Sequence, residues 1–120
     1  MILKKLLLVA FGGGLGSIAR FSISLLQKNY QFPFGTLIVN LIGSFLIGFI
    51  MAISLLKNNF DNWRLLLVTG ICGGFTTFSA FSWECFELFQ QQRYLTAFSY
   101  IIVSIIIGIA ATYLGFSLIK

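Results

Sequence analysis

A chain of 120 residues that is 58% hydrophobic, 9% charged and free of histidine lacks the composition of a soluble domain, where roughly 25% of residues are charged. The missing imidazole excludes Ser–His hydrolysis and His-ligated metal. The net charge of +5 comes from bases scattered near helix ends, which suits interfacial anchoring better than a nucleic-acid-binding stripe.

The charges divide the chain into uncharged runs at 6–19, 29–56, 65–83 and 94–119. A membrane-crossing helix needs about 20 mainly apolar residues, so the expected fold is all-α, a single transmembrane domain of four helices over 1–120. Span 1 covers about 3–26 and contains Arg20. Its charged start and apolar run resemble a signal peptide, but removal would destroy one of four spans, so it reads as a retained helix. A polar turn from Gln27 to Gln31 precedes Pro33, which is tolerated at a helix start and opens span 2 at about 34–56. The turn Lys57–Asn62 leads to span 3 at about 63–92, and Gln91-Gln92-Arg93 leads to span 4 at about 94–119. Tyr30, Trp63, Trp83, Tyr94 and Tyr113 lie mostly towards span ends, as an aromatic belt requires. Lys4, Lys5, Lys57, Arg64 and Lys120 on one side, against Lys28 and Arg93 on the other, mildly favour an inside N-terminus.

Polar groups within such spans are costly, so their placement is informative. Thr36, Asn40, Ser44 and Gly48 recur at intervals of four in span 2, and Ser104, Gly108 and Thr112 do so in span 4. Gly12 and Gly16 have the small-xxx-small spacing of close helix packing. Cys72 and Cys85 read as small buried hydrophobes, with neither disulfide nor metal spacing.

Span 3 departs from this pattern. Gly70-Ile71-Cys72-Gly73-Gly74-Phe75-Thr76-Thr77-Phe78-Ser79 combines glycines with β-branched residues and predicts a broken helix near mid-membrane. The freed carbonyls either hold a monovalent cation or are capped by threonine hydroxyls in a packing kink. Beyond the break, Phe75, Phe78, Phe81 and Glu84 form one i, i+3 row, and Thr76, Ser79 and Ser82 form another. Side by side, these rows suit either a helical core or the wall of an anion path, with ring edges and hydroxyl donors around the ion. Arg20 and Glu84 are intramembrane charges that either serve a vestibule or pair with each other.

The chain resembles the small fluoride channels called Fluc or CrcB proteins over its full length. The likeness rests on Gly12-Gly13-x-x-Gly16 with Arg20, on Gly35-Thr36-x-x-x-Asn40-x-x-Gly43-Ser44, and above all on Gly70-x-Cys72-Gly73-Gly74-Phe75-Thr76-Thr77-Phe78-Ser79-x-Phe81-Ser82-x-Glu84. The resemblance implies a channel that passively exports toxic fluoride across a bacterial inner membrane. It also implies an antiparallel, dual-topology homodimer with two pores along the interface. By that likeness the fluoride pathway uses Asn40, Phe78, Phe81, Ser79, Ser82 and Thr112, and a structural Na+ sits on the two-fold axis against the Gly73 and Thr76 carbonyls. Ala80 and Gly108 are departures that thin the polar track. Small multidrug exporters are a second class of the same size, but they need an acid in span 1, where this chain has Arg20. A non-transporting assembly subunit would explain the glycines but not the paired hydroxyl and phenylalanine rows. Enzymatic chemistry has no nucleophile–base pair to work with.

Overall fold

The computed structural model describes residues 1–27 and 31–119, and all regular structure among them is helical. Lys28, Asn29 and Tyr30 of the first expected turn, and the terminal Lys120, lie outside the described residues.

Helix α1 spans Ile2–Ser24. Beyond its end, the Gln27 side chain accepts from the Gly35 amide at 2.6 Å, covering one of the donors that a helix start leaves without a partner. Helix α2, Phe34–Leu56, begins directly after Pro33, whose ring fixes φ and whose missing N–H is not needed there. It ends where Lys57 turns extended. Asn59 then takes a φ of 58°, a left-handed conformation that its short polar side chain tolerates.

The third span is assembled from unlike pieces. A short α3, Asp61–Arg64, runs into a π-helical segment, Leu65–Cys72, and then α4, Gly73–Phe75. Thr76 and Thr77 are extended, with φ, ψ of −87°, 158° and −151°, 118°. Helix α5 resumes over Phe78–Gln90, its first turn capped by the Thr77 side chain, which accepts from the Ala80 amide at 3.1 Å. The end of α5 comes two residues before the end read from the sequence because of a left-handed closure. Gln92 has φ 59°, its amide bonds the Phe89 carbonyl and the Arg93 amide bonds the Leu88 carbonyl, the Schellman pattern with Gln in glycine's usual place. Helix α6 follows over Tyr94–Ser117, and the Arg93 guanidinium ties the two turns on this side by donating to the Gln31 carbonyl.

Four helical stretches, Ile2–Ser24, Phe34–Leu56, Asp61–Gln90 and Tyr94–Ser117, are long and apolar enough to cross a membrane. They pack as two pairs. In the first pair α1 lies along the π-helical segment and α4, and in the second α2 lies along α6. Glycine permits both approaches: a Cβ on Gly16 would fall onto the Ile71 carbonyl, and one on Gly48 onto the Thr112 carbonyl. Helix α5 joins the second pair through Leu37, Cys85, Leu88, Ala97 and Tyr100, which form a buried cluster.

Candidate functional site

The extended pair Thr76-Thr77 leaves backbone groups without helical partners, and a side chain from another helix takes up two of them. Asn40 of α2 donates through Nδ2 to the Thr77 carbonyl at 3.2 Å and accepts at Oδ1 from the Thr77 amide at 2.9 Å. One amide therefore satisfies both polar groups of one peptide residue, as a neighbouring strand would. The spacing of four in α2 explains why an amide stands on this face, but the sequence did not reveal its partner.

This clamp diverts donors. A continuous helix would give the Thr77 amide to the Gly73 carbonyl and the Ala80 amide to the Thr76 carbonyl. Here the Thr77 amide goes to Asn40 and the Ala80 amide to the Thr77 hydroxyl. Of the neighbouring carbonyls, Cys72 accepts from both the amide and the hydroxyl of Thr76, at 3.0 and 2.9 Å. Gly74 accepts from Arg20 Nε at 3.2 Å. Thus the carbonyls of Gly73 and Thr76 lose the donors that a helix would provide, and Gly73 is on the exposed side of the turn.

Beside the clamp lies a groove of about 340 Å³, lined by Asn40, Ser44 and Ile47 of α2, by Thr76, Thr77, Phe78 and Phe81 of the third span, and by Ser104, Ile105 and Thr112 of α6. It brings together Asn40, Phe78, Phe81 and Thr112, while Ser79 and Ser82 are exposed on α5 and are not among its lining residues. The Ser79 hydroxyl lies 3.3 Å from that of Thr77. The rings of Phe78 and Phe81 are 5.8 Å apart at 41°, and Phe81 also packs against Tyr100 at 5.0 Å. Phe78 is 78% exposed, so a single chain forms only one wall around it. Ser44 and Ser104 also line the groove. Both belong to the intervals of four noted in the sequence, yet nothing in that pattern distinguished them from packing residues.

Arg20 and Glu84 do not pair. Arg20 reaches the third span's turn instead, through Gly74. Glu84 accepts from Thr36 Oγ1 at 2.7 Å and from the Tyr100 hydroxyl at 2.8 Å, so its carboxylate bridges α2, α5 and α6. Both hydroxyls donate to a charged acceptor, the stronger class of hydrogen bond. Tyr100 is fully buried at this junction. Its role drew no attention in the sequence because the carboxylate that it donates to lies 16 positions away.

The description "CrcB-like protein, Camphor Resistance (CrcB)" belongs to the family whose pattern matches residues 7–116. The chain belongs to the CrcB-like family. A relative from Azobacteroides pseudotrichonymphae is 48% identical over 98% of this chain and 97% of its own length. One from Leptospira interrogans serovar copenhageni is 46% identical over 98% and 95%. Another from Pyrococcus abyssi is 44% identical over 100% and 99%. Each of the three is named a fluoride-specific ion channel, FluC. Family membership and the four apolar helices together make the chain a multi-pass membrane protein.

Proposed function

We propose that this CrcB-like chain is the subunit of a fluoride-selective channel that passively releases fluoride from the cytoplasm across a bacterial inner membrane, reducing its toxicity. One observation carries the reading. The groove combines aromatic edges with fixed hydroxyls beside the Asn40–Thr77 clamp, in a chain whose relatives bear a fluoride channel's name over nearly all its length.

The chemistry suits a small, strongly hydrated anion. Fluoride sheds water only where fixed donors replace it, and conduction requires that no single site hold it too tightly. Hydroxyl groups donate to the ion, while the positive edges of Phe78 and Phe81 attract it without a formal bond. Asn40 has both amide atoms engaged with Thr77, so its part is to hold the turn open and to offer its remaining N–H to the ion. Ser79 and Ser82 join the path from the exposed face of α5. Arg20 and Glu84 serve as structural charges, the first on the Gly74 carbonyl and the second between Thr36 and Tyr100.

The functional unit is an antiparallel, dual-topology homodimer with two pores at its interface, and the third span is broken near the membrane's mid-plane. Supporting this, Phe78 stands 78% exposed where a second chain would close the groove. The exposed turn at Gly73 carries carbonyls that the subunit itself leaves without helical donors. These carbonyls fit a Na+ on the two-fold axis, held by Gly73 and Thr76 of each subunit, since hard oxygen donors suit that ion. When bound, the cation would neutralise carbonyl dipoles that lipid cannot satisfy.

Proteoliposomes loaded with potassium fluoride and potassium chloride test the reading with ion-selective electrodes. Rapid fluoride release with hardly any chloride release is expected. Comparable rates for the two ions would contradict selectivity, and no fluoride release would contradict the function.

A further inference from the structure

The wall that α6 contributes to the groove is uneven. Ser104, Gly108 and Thr112 follow at intervals of four and share one face of the helix, but they offer an ion different things. A hydroxyl has one proton to donate. Thr112 gives its proton to the Gly108 carbonyl at 3.2 Å, and across the groove Thr76 gives its own to the Cys72 carbonyl. Gly108 has no side chain at all. An anion moving along α6 therefore meets a gap between Ser104 and Thr112.

That gap is faced by α2. The Ser44 hydroxyl oxygen lies 3.9 Å from the point that a Cβ on Gly108 would take, and it is the nearest neighbour of that point. Ser44 lines the groove. Ser22 and Ser54 fold back onto the carbonyls of Ile18 and Met51, the usual resort of serine in an apolar helix. Ser44, among the described residues, donates to no protein acceptor. One turn before Gly108, the Ser104 hydroxyl is buried and also has no partner among the described residues. Two uncommitted protons, on different helices, thus flank the place where α6 has none.

We propose that Ser44 is the anion donor of the pathway at the level of Gly108, standing in from α2 for the hydroxyl that α6 lacks there. The inference rests on the fluoride-channel reading. Its chemistry is an O–H to fluoride hydrogen bond, with no covalent step. Because the Gly108 position is open, a serine placed there could deliver a proton from the opposite side into the same space.

The test is fluoride efflux from proteoliposomes carrying the full chain. Ser44→Ala should lower the rate about tenfold or more, as loss of a hydrogen bond to a charged group does. Ser44→Ala combined with Gly108→Ser should recover most of that loss. Ser44→Ala combined with Gly108→Ala fills the space without a proton and should stay slow. Full flux in Ser44→Ala overturns the proposal, and so does equal recovery by Ala and Ser at 108, which would mark a packing role. Should Ser44→Ala fail to fold, Ser44→Cys keeps the volume with a weaker donor. Reduced flux then supports the proposal and unchanged flux overturns it. A wild-type chain that releases no fluoride refutes the channel reading itself, before any variant is compared.

Discussion

The two halves of the third span are packed by opposite means. Its first half, the π-helical segment and α4, meets α1 backbone to backbone, with Gly12 against Gly70 and Gly13 against Gly74. Its second half, α5, meets α2 and α6 through side chains: Glu84 between Thr36 and Tyr100, and Phe81 on Tyr100. Between them stand Thr76 and Thr77, fastened by Asn40. Glycine contact leaves no room for a side chain between the two backbones. Side-chain contact leaves polar groups facing space, and the groove lies on that side.

Substitutions at the junction and on either side of it test this contrast. The largest effect is expected at the clamp. Asn40→Leu strands the Thr77 amide and carbonyl, at about 1–3 kcal/mol for each unsatisfied buried group. A loss of about 4 kcal/mol should appear as a large drop in detergent thermal stability. A shift of a degree or two would mean that Asn40 is not what holds the turn.

On the glycine side, Gly16→Val should cost about 3 kcal/mol, the upper part of the range for overpacking, because the obstacle is the Ile71 carbonyl and cannot swing aside. Folded yield by size-exclusion chromatography should fall sharply, and a normal yield would refute backbone contact there. On the side-chain half a smaller change is expected. Glu84→Gln keeps one acceptor oxygen but presents an amide to the other hydroxyl, replacing two bonds to a charge by neutral ones, at about 1 kcal/mol. Unfolding in denaturant would show it. The smallest effect has the opposite sign. Gly14 has nothing within 4 Å of its missing Cβ, so Gly14→Ala should stabilise by up to about 1 kcal/mol through helix propensity. Destabilisation there would reveal a close neighbour on that face.

How much of this was legible in the sequence depends on distance along the chain. Four apolar helices follow from local composition, since a long uncharged run makes up most of each one. Glycine spacing at Gly12 and Gly16 announced a close approach, and the approach is to the π-helical segment and α4. That segment itself had no signature, because Leu65–Thr69 reads as an ordinary apolar run before the expected break at Gly70. Extended backbone at Thr76 and Thr77 has a local cause in the glycines before it and the threonine cap after it. Its fastening does not, for Asn40 lies 37 positions away. The same reason hid the Thr36–Glu84–Tyr100 bridge and left Arg20 with two candidate roles. Pairing with Glu84 was one of them; the guanidinium instead reaches a carbonyl that exists as a free acceptor only because the helix stops nearby.

The central claim, that fluoride passes along the groove beside the turn, is tested most directly by Phe78→Ile. This ring is 78% exposed in the single chain and supports no buried core, so its replacement should leave the fold intact. Fluoride efflux from proteoliposomes should fall at least tenfold, an order-of-magnitude effect on the scale of about 1.4 kcal/mol, while the protein elutes and melts as the wild type does. Undiminished efflux from this variant would contradict the account, since an ion path that ignores Phe78 does not run through this groove.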